Sequence, residues 1–561
     1  MKWGVAMRSL VFILLLALSL SVSGQTFDPM TVYEDTIVAF PGAEGFGKYA
    51  SGGRGGQVVY VTSLADDSLG NIPGTFRWAV QQYPGEPLTV LFAVTGEIRL
   101  KKDLRLSRKN FTIAGQSAPG VGIVFTHNKV NFGVSENFIL RNLRFRIGQV
   151  DIKGDTIMGN AFAAENASNF IIDHCEFGWS VEENMNTYDG HFFTVQYCIV
   201  HEGLYDAGHT KGQRAYGCQW GGSPASYHHN LLAHCNGRSC RFNGARNNDR
   251  VVYLDYINNV NFNYYGGSTG CHGGENTCDD KYYNGKNSGH EVNFVNNYYI
   301  KGPNTTNKRY FFVADEKRKS GAASRGPSQW HVSGNYFEGE TGATNDNWSA
   351  VQIKTYTQEQ ARVDTLIRTK TPYWDCNADS TEFSGLYNFD LYAYAASTYE
   401  SATDARQTVL DTAGCFPRDH VGKRVVEETR NNTYNHSGNR CHKSGIIDTP
   451  EDAEGFYDYT VVAPYADTDQ DGMPDFWESD NGMDPAVPDQ NTRHSSGYTM
   501  LEMYLDWAMH NKEPMDDGYQ EPTGLESVKH SGVKGKKTVR DGRLLIIQGE
   551  DEYGPAGQRI R

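Results

Sequence analysis

NFILRNLRF (137–145), NFIIDHCEF (169–177), FFTVQYCIV (192–200), SYHHNLLAH (226–234), VVYLDYINNV (251–260), EVNFVNNYYI (291–300) and QWHVSGNYF (329–337) are variants of one pattern. Each is a short β-branched and aromatic run that ends in a polar turn, and helical periodicity is nearly absent between them, which disfavours βαβ folds and favours an all-β array. Aligning their centres brings Asn142, Asn230, Asn259, Asn297 and Asn335 to equivalent places, each followed by Leu, Val or Tyr. The last three steps are 29, 38 and 38 residues. An Asn recurring once per coil predicts stacked amides forming a hydrogen-bonded ladder at a tight turn, as in a parallel β-helix, with loops of unequal length leaving one side. A propeller needs about four strands per 40 to 50 residues, more than the sequence offers.

Working outward, QVVYVTS, TVLFAVTG, NFTIAG and GVGIVFT extend the array back to Val58. The expected division is an N-terminal signal at 1–24, a β-helix at 25–345, a C-terminal part packing on or capping the solenoid at 346–515, and a linker and tail at 516–561. The signal rests on Met1-Lys2 and Arg8 followed by the apolar run Ser9 to Val22, too short to span a bilayer. Export is therefore expected, to the periplasm, the cell surface or the medium. Within the C-terminal part, VLDTAGCFPRDHVGKRVVEETR has helical periodicity near both ends, and 492–510 reads as an amphipathic helix begun by Ser495-Ser496-Gly497. GRLLIIQ reads as a short strand in the tail. All ten cysteines follow the signal, and Cys271 and Cys278 are close enough in sequence to staple a loop.

The formal net charge is −15. Binding a nucleic acid by counterion release requires a basic face, so such a partner is not expected. An acidic polymer would need a local basic groove or a bridging cation. The segment Asp467-Thr-Asp469-Gln-Asp471-Gly472-Met473-Pro-Asp475-Phe-Trp-Glu478 offers oxygen ligands at loop positions 1, 3, 5, 7, 9 and 12, with the main-chain carbonyl of Met473 at position 7 and Gly at 6. That is the Ca²⁺ loop spacing of an EF-hand, and Ca²⁺ is the expected cofactor. A second constellation lies in the array: Asp151 and Asp155, Glu182 and Glu183, His209 and Lys211, Arg238 and Arg241. Stacking of successive coils could bring these onto one face. Taken alone, the same residues also read as solvated loop charges and ordinary ion-pair partners.

At these residues the chain resembles the pectate lyases of polysaccharide lyase family 1, particularly the branch of gut Bacteroidetes. The resemblance runs from AFPGAEGFG (39–47) and GGRGG (52–56) through TIAGQSAPG, IIDHCEFGWS, HTKG (209–212), HHNLLAH and RSCR (238–241) to YYIKGP and DGMPDFWE. It implies a single-stranded, right-handed pectin lyase-like solenoid and a secreted, monomeric enzyme. It further implies cleavage of α-1,4-linked polygalacturonate by Ca²⁺-dependent β-elimination to unsaturated oligogalacturonides. Carried over, Arg238 is the catalytic base, and Lys211, Arg241 and His209 bind substrate. Asp155, Glu182 and Glu183 stand as calcium acids, and a further family calcium acid aligns with Gly178. The sequence departs from the family pattern at Cys240, Glu182, Arg214 and Ile147-Gly148-Gln149. Two other readings are a pectin lyase acting on methyl-esterified polymer, disfavoured by the retained acids, and a non-catalytic pectin-binding surface protein, disfavoured by Arg238 with Lys211. An arginine base predicts a high pH optimum.

Overall fold

The computed structural model describes residues 37–243, 246–247, 252–264, 271–274, 277–278, 290–305, 310–315, 329–354, 367–368, 400–440, 444–512, 515–520, 536–540, 543–548 and 551–553. The predicted signal lies outside them. Three parallel sheets wind into a right-handed β-helix. The first has eleven strands, from Gln57–Val61 to Ile367–Arg368; the second has nine, from Gly96–Arg99 to Tyr336–Phe337; the third has nine, from Leu104–Arg105 to Val351–Lys354. Each coil contributes one strand to each sheet, so side chains at equivalent positions stack along the axis. Phe111, Phe138, Phe170 and Phe193 form one interior column with ring centroids 5.0, 4.6 and 4.5 Å apart. Offset aromatic stacking adds to the area these rings bury.

Between the first and second sheets the chain turns on one residue with left-handed backbone: Asn142, His174, Tyr197, His229, Asn258 and Asn296 all have φ between 50° and 60°. The ladder occupies the next position. Asn230 donates to Asn259 (3.0 Å), Asn259 to Asn297 (3.2 Å), Asn297 to Asn335 (2.9 Å) and Asn335 to Asn347 (3.1 Å). Asn142 therefore does not belong to it. Register pairs Glu176 with Arg144 and with Ile199, so Leu143, Cys175 and Cys198 hold the equivalent places in earlier coils. Asn142 sits at the corner itself, where Asn tolerates positive φ, and exchanges two hydrogen bonds with the backbone of Phe416. Cys271 is a free, buried thiol that accepts from the Cys240 N–H at 3.1 Å, which removes it from the proposed staple.

The segment 39–53 lies over the first sheet. A Cβ on Gly47 would stand 2.0 Å from the Phe170 carbonyl oxygen, which is why AFPGAEGFG needs glycine there. The helix predicted at 492–510 is shorter, Met500–His510. Gly497, with φ at 93°, keeps the preceding turn out of the helix, and Thr499 and Glu502 close a capping box. In the tail, Arg543–Gln548 pairs antiparallel with Lys536–Arg540 and Asp551–Tyr553.

Two further helices, Ala402–Thr412 and His420–Asn431, lie against the second sheet. A buried ion network holds them there. Arg146 donates to Asp419 at 2.6 Å and to Glu176 at 2.5 Å, and Arg144 stands 3.4 Å from Asp419. Despite full burial, the two guanidinium groups hold the Asp419 carboxyl far below the usual range. A depressed folded-state pKa stabilises above about pH 4, and the contribution is lost as pH falls below that. Asp419→Ala leaves two buried arginines facing a single acid, Glu176, and is expected to cost about 3–5 kcal/mol, read as a lower denaturation midpoint at pH 7. The loss should shrink on acidification.

Candidate active site

The loops joining the second sheet to the third carry most of the singled-out residues. Arg238, at a left-handed corner (φ 52°), is partly exposed and forms an ion pair with the buried Glu183. Its guanidinium lies 4.4 Å from the ring centre of Tyr216, and that of Arg214 lies 4.6 Å from the same ring. Glu183 accepts from Gln219 at 2.9 Å, Gln219 from Asn243 at 3.2 Å, and Asn243 from Arg241 at 3.1 Å. A continuous polar network thus links Arg238 to Arg241 along the outer face of the third sheet. Arg241 ends it 2.9 Å from His272 Nε2.

A second group centres on Glu182. Arg214 grips both of its oxygens, His209 Nε2 lies 2.7 Å away and Lys211 Nζ 3.9 Å away. The Lys211 N–H donates to His209 Nδ1 at 3.0 Å. These bonds assign the neutral Nε2–H tautomer, and partial desolvation, offset in part by Glu182, lowers the pKa of the ring. With both nitrogens engaged and the side chain only 6% exposed, His209 stands behind Lys211 instead of offering itself to a substrate. Lys211, whose side chain is 69% exposed, reaches into solvent.

The expected calcium acids do not converge here. Glu182 is occupied by Arg214 and His209, and Glu183 by Arg238 and Gln219. Asp155 stands exposed on another turn, where its N–H donates to Asp151 at 3.0 Å. That turn neighbours the Lys211 loop through Thr156, 3.4 Å from the position of a Cβ on Gly208. Gly178 is likewise no vacant ligand position. It lies in the second sheet, and a side chain there would strike the buried His201 ring at 2.7 Å.

The acidic loop is built differently. Asp467, Asp469 and Asp471 form one close set, and Asp471, Glu478 and Asp489 another. Asp467 Oδ1, Asp469 Oδ2, both Glu478 oxygens and Asp489 Oδ1 are buried with no hydrogen-bond partner. Burial, with the neighbouring negative charges, pushes Asp471 up to about 6 and Glu478 up to about 7. Buried carboxylates aimed at one another without donors fit a hard cation. Asp475, predicted at position 9, instead accepts from Thr468 N–H and Oγ1 at 2.7 and 2.8 Å. Asp489, beyond the twelve-residue spacing, closes the second acidic set with Asp471 and Glu478. The Met473 side chain anchors the loop in a core shared with Leu91, Leu501 and Leu505.

No protein-family model matches the chain. A probable pectate lyase C of Aspergillus oryzae is 30% identical over 478 residues, covering 84% of this chain and 94% of its own. The chain belongs to the pectate lyases. A probable pectate lyase C of Aspergillus fumigatus is 29% identical over 482 residues, at 83% and 93% coverage. Among solved structures, a thermostable pectate lyase superposes at a TM-score of 0.41 with 11% identity, over 66% of this chain and 97% of its own. That match is too loose to add to the strand topology. This pectate lyase is a polysaccharide lyase acting on pectate. Tyr216, Gln219, Asn243 and His272, unmarked by any motif, complete its candidate site. Their signal was positional, since Gln219 pairs with Arg241 across adjacent strands.

Proposed function

We propose that the chain is an exported pectate lyase that cleaves α-1,4-linked polygalacturonate by β-elimination on the outer face of its third sheet, releasing unsaturated oligogalacturonides. The observation carrying this reading is the partly exposed Arg238 at the head of the network to Arg241, with Lys211 open to solvent on the neighbouring loop. Arg238 accepts the C5 proton of a uronate. Abstraction places a second negative charge on the C6 carboxylate, and Lys211 and Arg241 stabilise that charge as it develops. Electrons then move from C5 to form the C4–C5 double bond, and the glycosidic oxygen at C4 leaves. Glu183 orients Arg238 before reaction, and His209 positions Lys211 by holding its backbone N–H.

Calcium belongs, in this proposal, to the acidic loop, held by Asp467, Asp469, Asp471, Glu478 and Asp489, where it supplies compensating charge for a cluster of buried carboxylates. The motif run from AFPGAEGFG to DGMPDFWE supports the gut Bacteroidetes branch, and the apolar stretch after Arg8 supports export. Among the described residues, no helix is long and apolar enough to cross a membrane.

Two comparisons test the reading. Activity should rise with pH through the alkaline range, because the competent form of Arg238 is the deprotonated one and its fraction grows as pH approaches the guanidinium range. Polygalacturonate should be cleaved faster than its methyl ester, which lacks the charge that Lys211 and Arg241 meet. A maximum near pH ~5–6, or a preference for the ester, would contradict it.

A further inference from the structure

At the first coils, beyond the network, an open cavity of ≈ 660 Å³ is lined by Lys101, Lys102, Asp103, Arg105, Asp151 and Lys153, among others. Its charge is unbalanced. Lys101, Lys102, Arg105 and Lys153 are exposed, and none is held in an ion pair among the described residues. The two acids are already satisfied by backbone donors. Asp151 accepts from the N–H groups of Lys153 and Asp155 at 2.8 and 3.0 Å, and Asp103 from that of Lys129 at 3.3 Å. Arg77, also in the lining, is neutralised by the buried Asp66 at 2.7 Å. Four exposed cations thus outnumber the two acids, Asp103 and Asp151, in one depression of a chain whose net charge is −15, where a polyanion would otherwise be repelled.

Strand register ties this depression to the groove. On the third sheet, Arg105 pairs with Asn131, Asn131 with Ala163, Ala163 with Asn186, Asn186 with Gln219 and Gln219 with Arg241. Their neighbours Leu104, Val130, Phe162, Met185 and Cys218 fill the core, so this row faces outward. Five strand steps separate Arg105 from Arg241, roughly 24 Å at the usual strand spacing. A pyranose is about as long as one such step, so an extended sugar chain engaged at Arg241 reaches Arg105 after roughly five units. A second cavity, of ≈ 280 Å³ and lined by Asp155 and Gly159, adjoins the first through Asp103, Asn128 and Asp151 and bridges part of that distance.

We infer that Lys101, Lys102, Arg105 and Lys153 form a distal subsite that holds the carboxylates of an acidic polysaccharide several sugars from the reacting bond, and so favours long chains over short oligomers. The inference rests on the proposed function for the identity of the polymer, not for the existence of the site. Electrostatic capture of this kind is screened by salt.

The test uses Lys101→Ala/Lys102→Ala/Lys153→Ala, whose exposed side chains make no ion pair among the described residues, and separately Arg105→Ala. The ratio of kcat/KM on long polygalacturonate to that on trigalacturonate is expected to fall about tenfold below that of the unaltered protein at low salt, and the gap to close as salt is raised. Titration of long polygalacturonate into both variants, each in an Arg238→Ala background, should show a matching loss of affinity. Unchanged ratio and unchanged affinity would overturn the subsite. If the unaltered protein produces no unsaturated ends but binds long chains through these lysines, the proposed reaction fails and the subsite stands. If it cleaves long and short substrates with the same ratio as the triple variant, the subsite fails and the reaction stands.

Discussion

Arg238→Ala is expected to lower kcat on polygalacturonate by about 10²–10⁴-fold, the range for loss of a positioned general base. The fold should survive, because the side chain is partly exposed, at 22%, and lies against the face of the Tyr216 ring at the surface of the solenoid. Glu183 is the element at risk, being buried and left without its guanidinium. Its bond from Gln219 remains and softens the loss. Arg238→Lys retains a cation for Glu183 but not the planar fork, so it should restore stability without restoring rate. Measured as unsaturated product per second at alkaline pH, a loss below about tenfold in the alanine variant would move the base elsewhere.

Chelating calcium is expected to lower the thermal midpoint by about 3–5 °C, the size expected when a ligand held well above its dissociation constant is withdrawn from a large domain. The physical reason lies in five buried carboxylate oxygens with no donors. Withdrawing the cation leaves them facing one another. The effect should reach beyond the loop, since Tyr60 in the first strand donates to Asp467 at 2.5 Å and Leu91, Met473, Leu501 and Leu505 share one core. Calorimetry with and without EDTA checks this. Asp471→Asn should start from the lower midpoint and be insensitive to chelator; equal sensitivity in both proteins would place the stabilising calcium elsewhere.

What the sequence could reveal followed the distance over which each feature is determined. Stacking repeats a local pattern, so the amide ladder from Asn230 to Asn335 was visible as a recurring letter. Asn142 misled because the corner and ladder positions are adjacent and both accept Asn, one for its backbone and one for its amide. Cys175 and Cys198 hid the ladder's earlier positions because a thiol does not look like an amide.

The site was readable residue by residue but not in its pairings. Glu182 and Glu183 are consecutive, yet one turns to Arg214 and His209 and the other to Arg238, so neither is open to a metal in the arrangement described. Nothing local distinguishes that from a calcium pair. Asp475 is engaged by Thr468, while Asp489 is brought beside Asp471 and Glu478 by tertiary packing that the twelve-residue spacing does not encode. The buried network of Arg144, Arg146, Glu176 and Asp419 joins residues more than 240 positions apart, a separation over which sequence spacing carries no information.

The most direct test of the account counts chain ends. Polygalacturonate is incubated with the protein at alkaline pH, and the ultraviolet absorbance of C4–C5 unsaturated ends is compared with the number of new reducing ends. β-Elimination through Arg238 predicts one unsaturated end for every reducing end formed; new reducing ends without that absorbance would mean hydrolysis and would contradict it.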